Sequence, residues 1–235
     1  MALGVAGVST AWAGFKVRQY VLEDPQFVFS SNTPGALTIQ GLNYTSYTKV
    51  LRVFILDFDH SVFSIPLAER RRRLLAIDWV EDASVSRIWP DRLLVRIRER
   101  TPVAFVIFRS GVLLMDAHGV LLEPPLQAHF AFPVLSGVRE NETEDQRCER
   151  VRALLRLQQD MGYMAKDVSE VDTADPANIR IVAQVENRAV ELMMGDGNFA
   201  QRYQNFLAHY PEIGKRSPNV KSFDLRLDGQ VTARE

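Results

Sequence analysis

The clearest alternation of apolar and polar residues lies between Ser64 and Val106, and it predicts one helix followed by one β-hairpin. Ser64 is a good N-cap, and Pro66 suits the first helical turn, where its missing N–H has no intrahelical partner to lose. The apolar positions that follow have helical spacing: Leu67, Leu74, Leu75 and Ile77. No residue in this stretch has an obvious catalytic role, which favours a module that holds partners.

The predicted hairpin has one apolar face and one cationic face. On its second strand, Leu93, Val95 and Ile97 alternate with residues that point the other way: Leu94, Arg96, Arg98 and Arg100. On its first strand the apolar spacing slips, which indicates a bulge. The turn is expected at residues 89–92, where Pro and Asp are typical turn residues. Pro102 cannot donate a ladder hydrogen bond, so the first module is expected to end just before it.

The remaining pattern predicts a second module and completes the first. A short strand at 36–41 and a helix from Asn43 or Thr45 to about Leu56 precede the helix and hairpin, which gives the order strand, helix, helix, strand, strand. A strand at 103–108 then leads into a hairpin around 116–119. The later elements are an apolar piece, a helix, three strands, a helix that ends at Pro211, and a final hairpin: residues 132–137, 140–161, 168–173, 178–185, 189–193, 199–210, 222–227 and 230–233.

Composition indicates a folded protein and excludes some functions. The chain has 235 residues, of which 46% are hydrophobic and 24% charged, so a packed core is expected. Its formal net charge of −1 argues against a general nucleic-acid-binding protein, because no positive field attracts phosphates. Cys148 is the single cysteine, so no intramolecular disulfide forms.

The first fifteen residues are uncharged and mostly small and apolar. A bilayer-spanning helix needs about 20 such residues, and a signal peptide would begin with a cationic segment. The stretch is therefore part of a membrane anchor with a cut or misassigned start, a shortened anchor or signal, or a buried segment. We favour the first, because Trp12 and Phe15 suit a membrane interface. Lys16 and Arg18 weigh against it, because the positive-inside rule would place that flank in the cytoplasm.

Several polar clusters are candidate sites of chemistry. The four histidines have no metal-ligand spacing, and no phosphate-binding loop or nucleophile motif is present. The cluster at 57–60, Asp-Phe-Asp-His, is either a metal site or, as we favour, an acidic loop that caps two helices. The arginines at 70–73 are either a basic docking face or, as we favour, side chains partly in solvent and partly along an apolar edge. We therefore expect no enzyme activity, no cofactor and no metal.

The final hairpin is the best candidate for partner binding. A strand at the end of a chain is often an edge strand, whose N–H and C=O groups can accept a strand from another protein. The alternative is a capped edge that pairs with nothing, and the pattern alone leaves both open.

Four segments together resemble the FtsQ/DivIB family of bacterial cell-division proteins. Residues 79–104 resemble the hairpin of its POTRA domain, and three later segments are similar to its β domain: L-L-M-D-A-H-G-V-L-L at 113–122, F-P-V-L-S-G at 132–137 and V-K-S-F-D-L-R at 220–226. The resemblance implies an α+β fold: a POTRA domain (strand-helix-helix-strand-strand), followed by a mixed α/β domain with a mainly antiparallel sheet. It divides the chain into a partial anchor, a connector, the POTRA domain and the FtsQ-type β domain: residues 1–15, 16–35, 36–102 and 103–235.

The resemblance also implies a function and a binding segment. The protein would be a single-pass inner-membrane protein with its bulk in the periplasm, a non-enzymatic scaffold at the division septum. It would recruit and bridge FtsB and FtsL, help control septal peptidoglycan synthesis, and contact other divisome proteins through the POTRA domain. An FtsB strand would pair with the segment after the D-L-R motif: Arg226, Leu227, Gly229, Gln230 and Val231. Leu227 departs from the aromatic residue often found there.

The alternative implied by a POTRA domain is a component of outer-membrane protein assembly or secretion. Such proteins usually carry several POTRA domains and a membrane barrel, and the sequence between 36 and 233 contains neither.

Overall fold

A computed structural model describes residues 22–126, 128–216, 219–227 and 229–234, together with Lys16 and Tyr20. The anchor predicted at residues 1–15 lies outside this part of the chain. The chain divides into two compact units, Met1–Arg100 and Thr101–Glu235, here called unit 1 and unit 2. Across the ranges given above, no helix has both the length and the apolar character that crossing a membrane requires.

Unit 1 contains a three-stranded sheet and confirms the predicted order of strand, helix, helix, strand, strand. Its elements are β1 (Leu37–Gln40), α1 (Tyr47–Arg52), α2 (Leu67–Leu75), β2 (Val80–Ile88) and β3 (Arg92–Glu99). The long hairpin of β2 and β3 is antiparallel, and β1 pairs in parallel with β3 to give the order β1-β3-β2. The alternation in β3 predicts its buried face correctly, and the register shift between Val80 and Asp82 confirms the bulge.

Helices α1 and α2 both begin later than predicted. Helix α2 starts at Leu67 rather than after Ser64, whose hydroxyl instead donates to the Ser61 carbonyl at 2.7 Å. Helix α1 starts after Ser46 and ends at Arg52, and a separate 3-10 turn covers Ile55–Asp57. The physical reason for the late start of α1 is Glu99. Its carboxylate accepts bonds from the backbone N–H groups of residues 43–45, which holds them as a loop.

The prediction for the arginines at 70–73 is wrong at Arg70. Its side chain is buried and forms an ion pair with Asp57, because the 3-10 turn at Ile55–Asp57 brings that carboxylate against α2. The same pair corrects the expectation that Asp57 belongs to a loop that caps two helices. The other three arginines are exposed, which agrees with the part of the prediction that places side chains in solvent.

Unit 2 is built on a nine-stranded sheet. Its strands, numbered β4 to β12, are Pro102–Phe108, Gly111–Asp116, Leu121–Leu122, Val134–Ser136, Val168–Asp172, Ile179–Val185, Arg188–Gly195, Ser222–Asp224 and Thr232–Arg234. Their order in the sheet is β12-β11-β10-β9-β8-β7-β4-β5-β6. Five of the pairings are antiparallel, and the β4–β7, β7–β8 and β10–β11 pairings are parallel, which agrees with the predicted mainly antiparallel sheet.

Helices α3 (Glu144–Met161) and α4 (Phe199–Arg216) share one hydrophobic core with this sheet. Thr143 and Gln146 form a capping box at the start of α3, and Gly162 ends it with a positive φ of 56°, as predicted. Helix α4 runs past Pro211 to Arg216, so the prediction that it stops there is wrong. Its buried face carries Phe199, Tyr203, Phe206 and Tyr210.

Candidate partner-binding edge

The C-terminal hairpin forms one edge of the sheet in unit 2. Strand β11 pairs in parallel with β10, and β12 pairs antiparallel with β11. Phe223 fixes β11 to the core, because its ring lies 5.1 Å from that of Phe206 and 6.2 Å from that of Tyr210. Strand β12 is the last strand in the order, so within the described residues nothing pairs with its outer edge.

The strands of this hairpin are shorter than the sequence pattern predicts. They cover 222–224 and 232–234 rather than 222–227 and 230–233. The five predicted partner-binding residues therefore lie in the connection between the strands: Arg226, Leu227, Gly229, Gln230 and Val231. Leu225 still bonds to β10, because its N–H donates to the Met193 carbonyl at 3.0 Å. The chain then turns, and the Gln230 N–H donates to the Leu227 carbonyl at 3.1 Å.

Arg226 is held by a carboxylate of its own hairpin. Its Nε lies 2.9 Å from Asp224 Oδ1, and its Nη2 lies 2.6 Å from Asp224 Oδ2. Hydrogen bonding to Asp224 raises the pKa of the Arg226 guanidinium above its ordinary value. The arginine stem runs over Gly195, where a Cβ would lie 3.4 Å from Arg226 Cγ. The guanidinium is therefore positioned at the surface of the hairpin in a defined orientation.

Leu227 and Val231 differ in what they offer to a partner. The Leu227 side chain is 65% exposed, whereas Leu225, two residues earlier, is buried in the core. Val231 is half-buried and packs against the core of unit 2. Leu227 is thus the apolar residue of this segment that is available for an intermolecular contact.

Two grooves flank the connection, and α4 forms the other wall of each. One has about 400 Å³ of empty volume and is lined by Gln201, Arg202, Asn205, Leu225, Leu227, Gly229 and Gln230. The other has about 540 Å³ and is lined by His209, Glu212, Ile213, Arg216, Gly229 and Val231. Arg202 is fixed in the first groove, because its Nη1 donates to the Met194 carbonyl at 2.6 Å. Both grooves mix polar and apolar walls, which suits a peptide more than a small apolar ligand.

The α4 wall was not predicted from the sequence. A signal for it exists, because Gln201, Arg202 and Asn205 follow the helical spacing of one face beside the buried Tyr203 and Phe206. That spacing does not indicate which strand the face would meet. The alternative interpretation of residues 57–60 as a metal site gains no support from the described residues. Throughout the described ranges, no three His, Cys, Asp or Glu side chains come together in a way that could hold a metal ion.

Comparison with family models gives matches over most of the chain. Residues 34–100 match the model described as a POTRA domain of the FtsQ type. Residues 104–226 match the model described as the C-terminal part of the cell-division protein FtsQ/DivIB.

Individual relatives agree with these models. A cell-division protein FtsQ of Koribacter versatilis is 34% identical over 98% of this chain and 68% of its own length. A cell-division protein FtsQ of Coxiella burnetii is 26% identical over 70% of this chain and 64% of its own length. The alignments thus span about two thirds of the length of these relatives.

One solved structure is also similar to part of this chain. It is the major extracytoplasmic domain of the cell-division protein DivIB from Geobacillus stearothermophilus, 24% identical, with 52% of this chain and 98% of that chain covered. Its TM-score of 0.30 is too low for a comparison of detail. The family models and the Koribacter relative are sufficient: this chain belongs to the FtsQ/DivIB family of bacterial cell-division proteins.

Proposed function

We propose that this protein is a non-enzymatic scaffold of the cell-division machinery that binds FtsB and FtsL by strand addition at β12. The observation that carries the proposal is the outer edge of β12, which no described strand covers, next to the exposed Leu227. An incoming strand would satisfy its own backbone N–H and C=O groups on that edge. Recruitment of these partners to the septum would then help control septal peptidoglycan synthesis.

Side chains of the connection would add specificity to the backbone pairing. Leu227 would bury its exposed surface against an apolar residue of the partner, and the groove beside α4 would receive a neighbouring side chain. Arg226 would attract a partner carboxylate, because its guanidinium remains exposed while bound to Asp224. Gly229 and Gln230 are both exposed and would leave the partner strand room to approach.

We further propose that residues 1–15 anchor the protein in the inner membrane and that both units lie in the periplasm. Family membership and the uncharged apolar character of these residues support this location. The POTRA domain of unit 1 would contact other divisome proteins. The net charge of −1 gives no support to nucleic-acid binding.

A binding titration with purified FtsB and FtsL tests the proposal. Leu227→Glu places a charge on the contact surface and is expected to weaken binding at least tenfold, about 1.4 kcal/mol. The matched control is Leu126→Glu, the same change at a fully exposed leucine of unit 2 that lies outside the hairpin and its two grooves. Equal loss of binding in both variants, or none in either, would reject β12 and its connection as the binding site.

A further inference from the structure

One end of unit 1 carries a cluster of aromatic residues at the surface. Phe27 lies at its centre, with its ring 5.9 Å from that of Tyr20, 5.3 Å from that of Phe63 and 6.2 Å from that of Trp89. The three outer rings are exposed by 55%, 38% and 70%, and Ile88 beside Trp89 is exposed by 43%. We call Tyr20, Phe27, Phe63, Ile88 and Trp89 the aromatic end of unit 1.

The aromatic end is a defined surface, because three separate segments are tied together there. The N-terminal segment pairs with the loop before α2 through a β-bridge between Val28 and Ser61. That loop is tied to β2 by Arg87, whose Nε donates to the Val62 carbonyl at 2.8 Å and whose Nη2 donates to the Ile65 carbonyl at 2.7 Å. The Arg87 guanidinium also lies 6.0 Å from the centre of the Phe63 ring.

We infer that the aromatic end docks on the interfacial layer of a lipid bilayer. Tryptophan and tyrosine favour that layer, because their rings are apolar while the indole N–H and phenol O–H remain in contact with water. Three exposed aromatic rings around one shared ring form a larger apolar surface than the singly scattered apolar residues that are normal on a soluble protein. The inference rests on the proposed anchoring of residues 1–15.

The short distance along the chain between Phe15 and Tyr20 favours a lipid surface as the partner of the aromatic end. The uncharged run ends at Phe15, five residues before Tyr20. Five residues span at most about 18 Å even when fully extended, so a membrane segment that ends at Phe15 holds the Tyr20 backbone within that distance of the bilayer. The contacts from Tyr20 to Phe27 and on to Trp89 then place the whole aromatic end close to the lipid headgroups.

Docking of the aromatic end would restrict the tilt of unit 1 on the membrane. A single attachment point leaves a domain more freedom to rotate than two points of contact do. Unit 1 would then hold one orientation towards its divisome partners.

The test uses the full chain with Trp12 replaced by phenylalanine, so that Trp89 is the exposed emitter and Trp79 stays in the core at 7% exposure. The protein is reconstituted with vesicles of phosphatidylcholine and phosphatidylglycerol that contain lipids brominated near the headgroup. We expect bromine to quench most of the Trp89 emission. Adding Trp89→Phe to this chain should remove the quenchable signal and leave only the emission of Trp79.

A moved reporter controls for general adsorption of unit 1. Leu56 is 75% exposed in the 3-10 turn at Ile55–Asp57 and is not one of the residues that form the aromatic end. Leu56→Trp is introduced in the chain that lacks Trp12 and Trp89, and we expect much weaker quenching there. Equal quenching at positions 56 and 89 would overturn the assignment of the aromatic end.

Flotation of the same vesicles separates this inference from the proposed function. Protein that floats with the vesicles while Trp89 stays unquenched overturns the inference and leaves the anchor intact. Protein that does not float overturns both. A blue shift of Trp89 that depends on protein concentration in the absence of lipid would mean that a second copy of the chain covers the aromatic end, which also overturns the inference.

Discussion

Asp57 and Arg70 form a buried ion pair with two hydrogen bonds, and this pair connects the 3-10 turn after α1 to α2. Arg70 Nε donates to Asp57 Oδ2 and Nη2 donates to Oδ1, each at 2.6 Å. Only 8% of the arginine side chain and 6% of the aspartate side chain is exposed. Arg70 Nη1 also lies 3.4 Å from Glu69 Oε1, so Asp57 is the main counter-charge of Arg70 and Glu69 is a second one. Hydrogen bonding to Asp57 raises the pKa of Arg70 above its ordinary value.

Removing one partner of this pair should destabilise unit 1 strongly. We expect Asp57→Ala to lower the free energy of unfolding by about 3–5 kcal/mol, because it removes the main counter-charge of a buried guanidinium. The double change Asp57→Leu with Arg70→Met should recover much of that loss. Urea unfolding followed by tryptophan emission reports on unit 1, because Trp12, Trp79 and Trp89 all lie in it.

The control for this series is Arg72→Ala, at an exposed arginine of the same helix. It should change the free energy of unfolding by less than about 0.5 kcal/mol. A loss as large as that of Asp57→Ala would show that the helix needs arginine for a reason other than the ion pair.

Glu99 should make the stability of unit 1 depend on pH. Its burial raises the pKa of the carboxyl, but the nearby Thr45 side chain and hydrogen bonds from the backbone N–H groups of residues 43–45 lower it by more, so the net pKa lies below the usual 4.5. The stabilisation is therefore fully present above about pH 4.5 and is lost as the pH falls through the lower pKa of the folded state.

Glu99→Gln tests this dependence. It should cost about 1 kcal/mol at neutral pH and flatten the acid side of the stability curve. The measurement is urea unfolding of both proteins between neutral and acidic pH. If the free energy of unfolding fell in parallel for both proteins as the pH decreased, the acid sensitivity would belong to other carboxylates.

Gly119 allows the hairpin of β5 and β6 to lie against α3, so it should not tolerate a side chain. A Cβ at this position would lie 2.7 Å from the Cys148 backbone nitrogen, and φ is +82°. Gly119→Ala should therefore lower the free energy of unfolding of unit 2 by at least about 1–3 kcal/mol. Gly214 in α4 has open space around it, so Gly214→Ala should stabilise by up to about 1 kcal/mol. Thermal unfolding followed by circular dichroism compares the two, and equal effects would contradict this account.

Tyr203 lies in the core of unit 2 with a buried hydroxyl that has no hydrogen-bond partner among the described residues. Burial, with a smaller effect from Asp167, raises its pKa to about 12. Tyr203→Phe removes the hydroxyl and should leave stability unchanged or higher by about 1 kcal/mol, whereas Tyr203→Ala should cost about 3–5 kcal/mol through the cavity.

Tyr203 should also make the stability of unit 2 fall at alkaline pH. Because the folded pKa is raised, its contribution is complete below about pH 10 and is lost as the pH rises through about 12. In an ultraviolet difference titration, the Tyr203→Phe variant should lack one phenol that ionises at high pH in the parent chain. Loss of an ordinary phenol instead would mean that the hydroxyl is solvated.

Local patterns in the sequence predict the elements well where one face is buried. The alternation of Leu93, Val95 and Ile97 identifies β3 and its buried face, because apolar residues alternate with polar ones when one face of a strand packs on a core and the other faces solvent. The boundaries of α1 and α2 could not be predicted in the same way. They depend on contacts between residues far apart in the sequence. Glu99 bonds to residues 43–45, which are 54–56 positions away, and Asp57 bonds to Arg70, which is 13 positions away.

In the candidate site, too, local sequence patterns predict some features, whereas contacts between distant residues determine the others. The position of Leu227 and Gly229 beside the last strand follows from the sequence, because a turn signal separates two short apolar runs. The groove residues Gln201 and Asn205 could not be predicted, because only the parallel pairing of β10 with β11 brings α4 beside the hairpin. The short strands also follow from that packing, since Phe223 and Leu225 are buried while the chain turns at Arg226.

Backbone hydrogen–deuterium exchange of the full chain, with and without saturating FtsB, tests strand addition at β12 most directly. Strand pairing protects amide groups along the accepting edge, so we predict that the largest gain in protection falls in residues 229–234 and that Leu227→Glu abolishes it. Binding that protects unit 1 and leaves residues 229–234 exchanging as in the free chain would contradict the account.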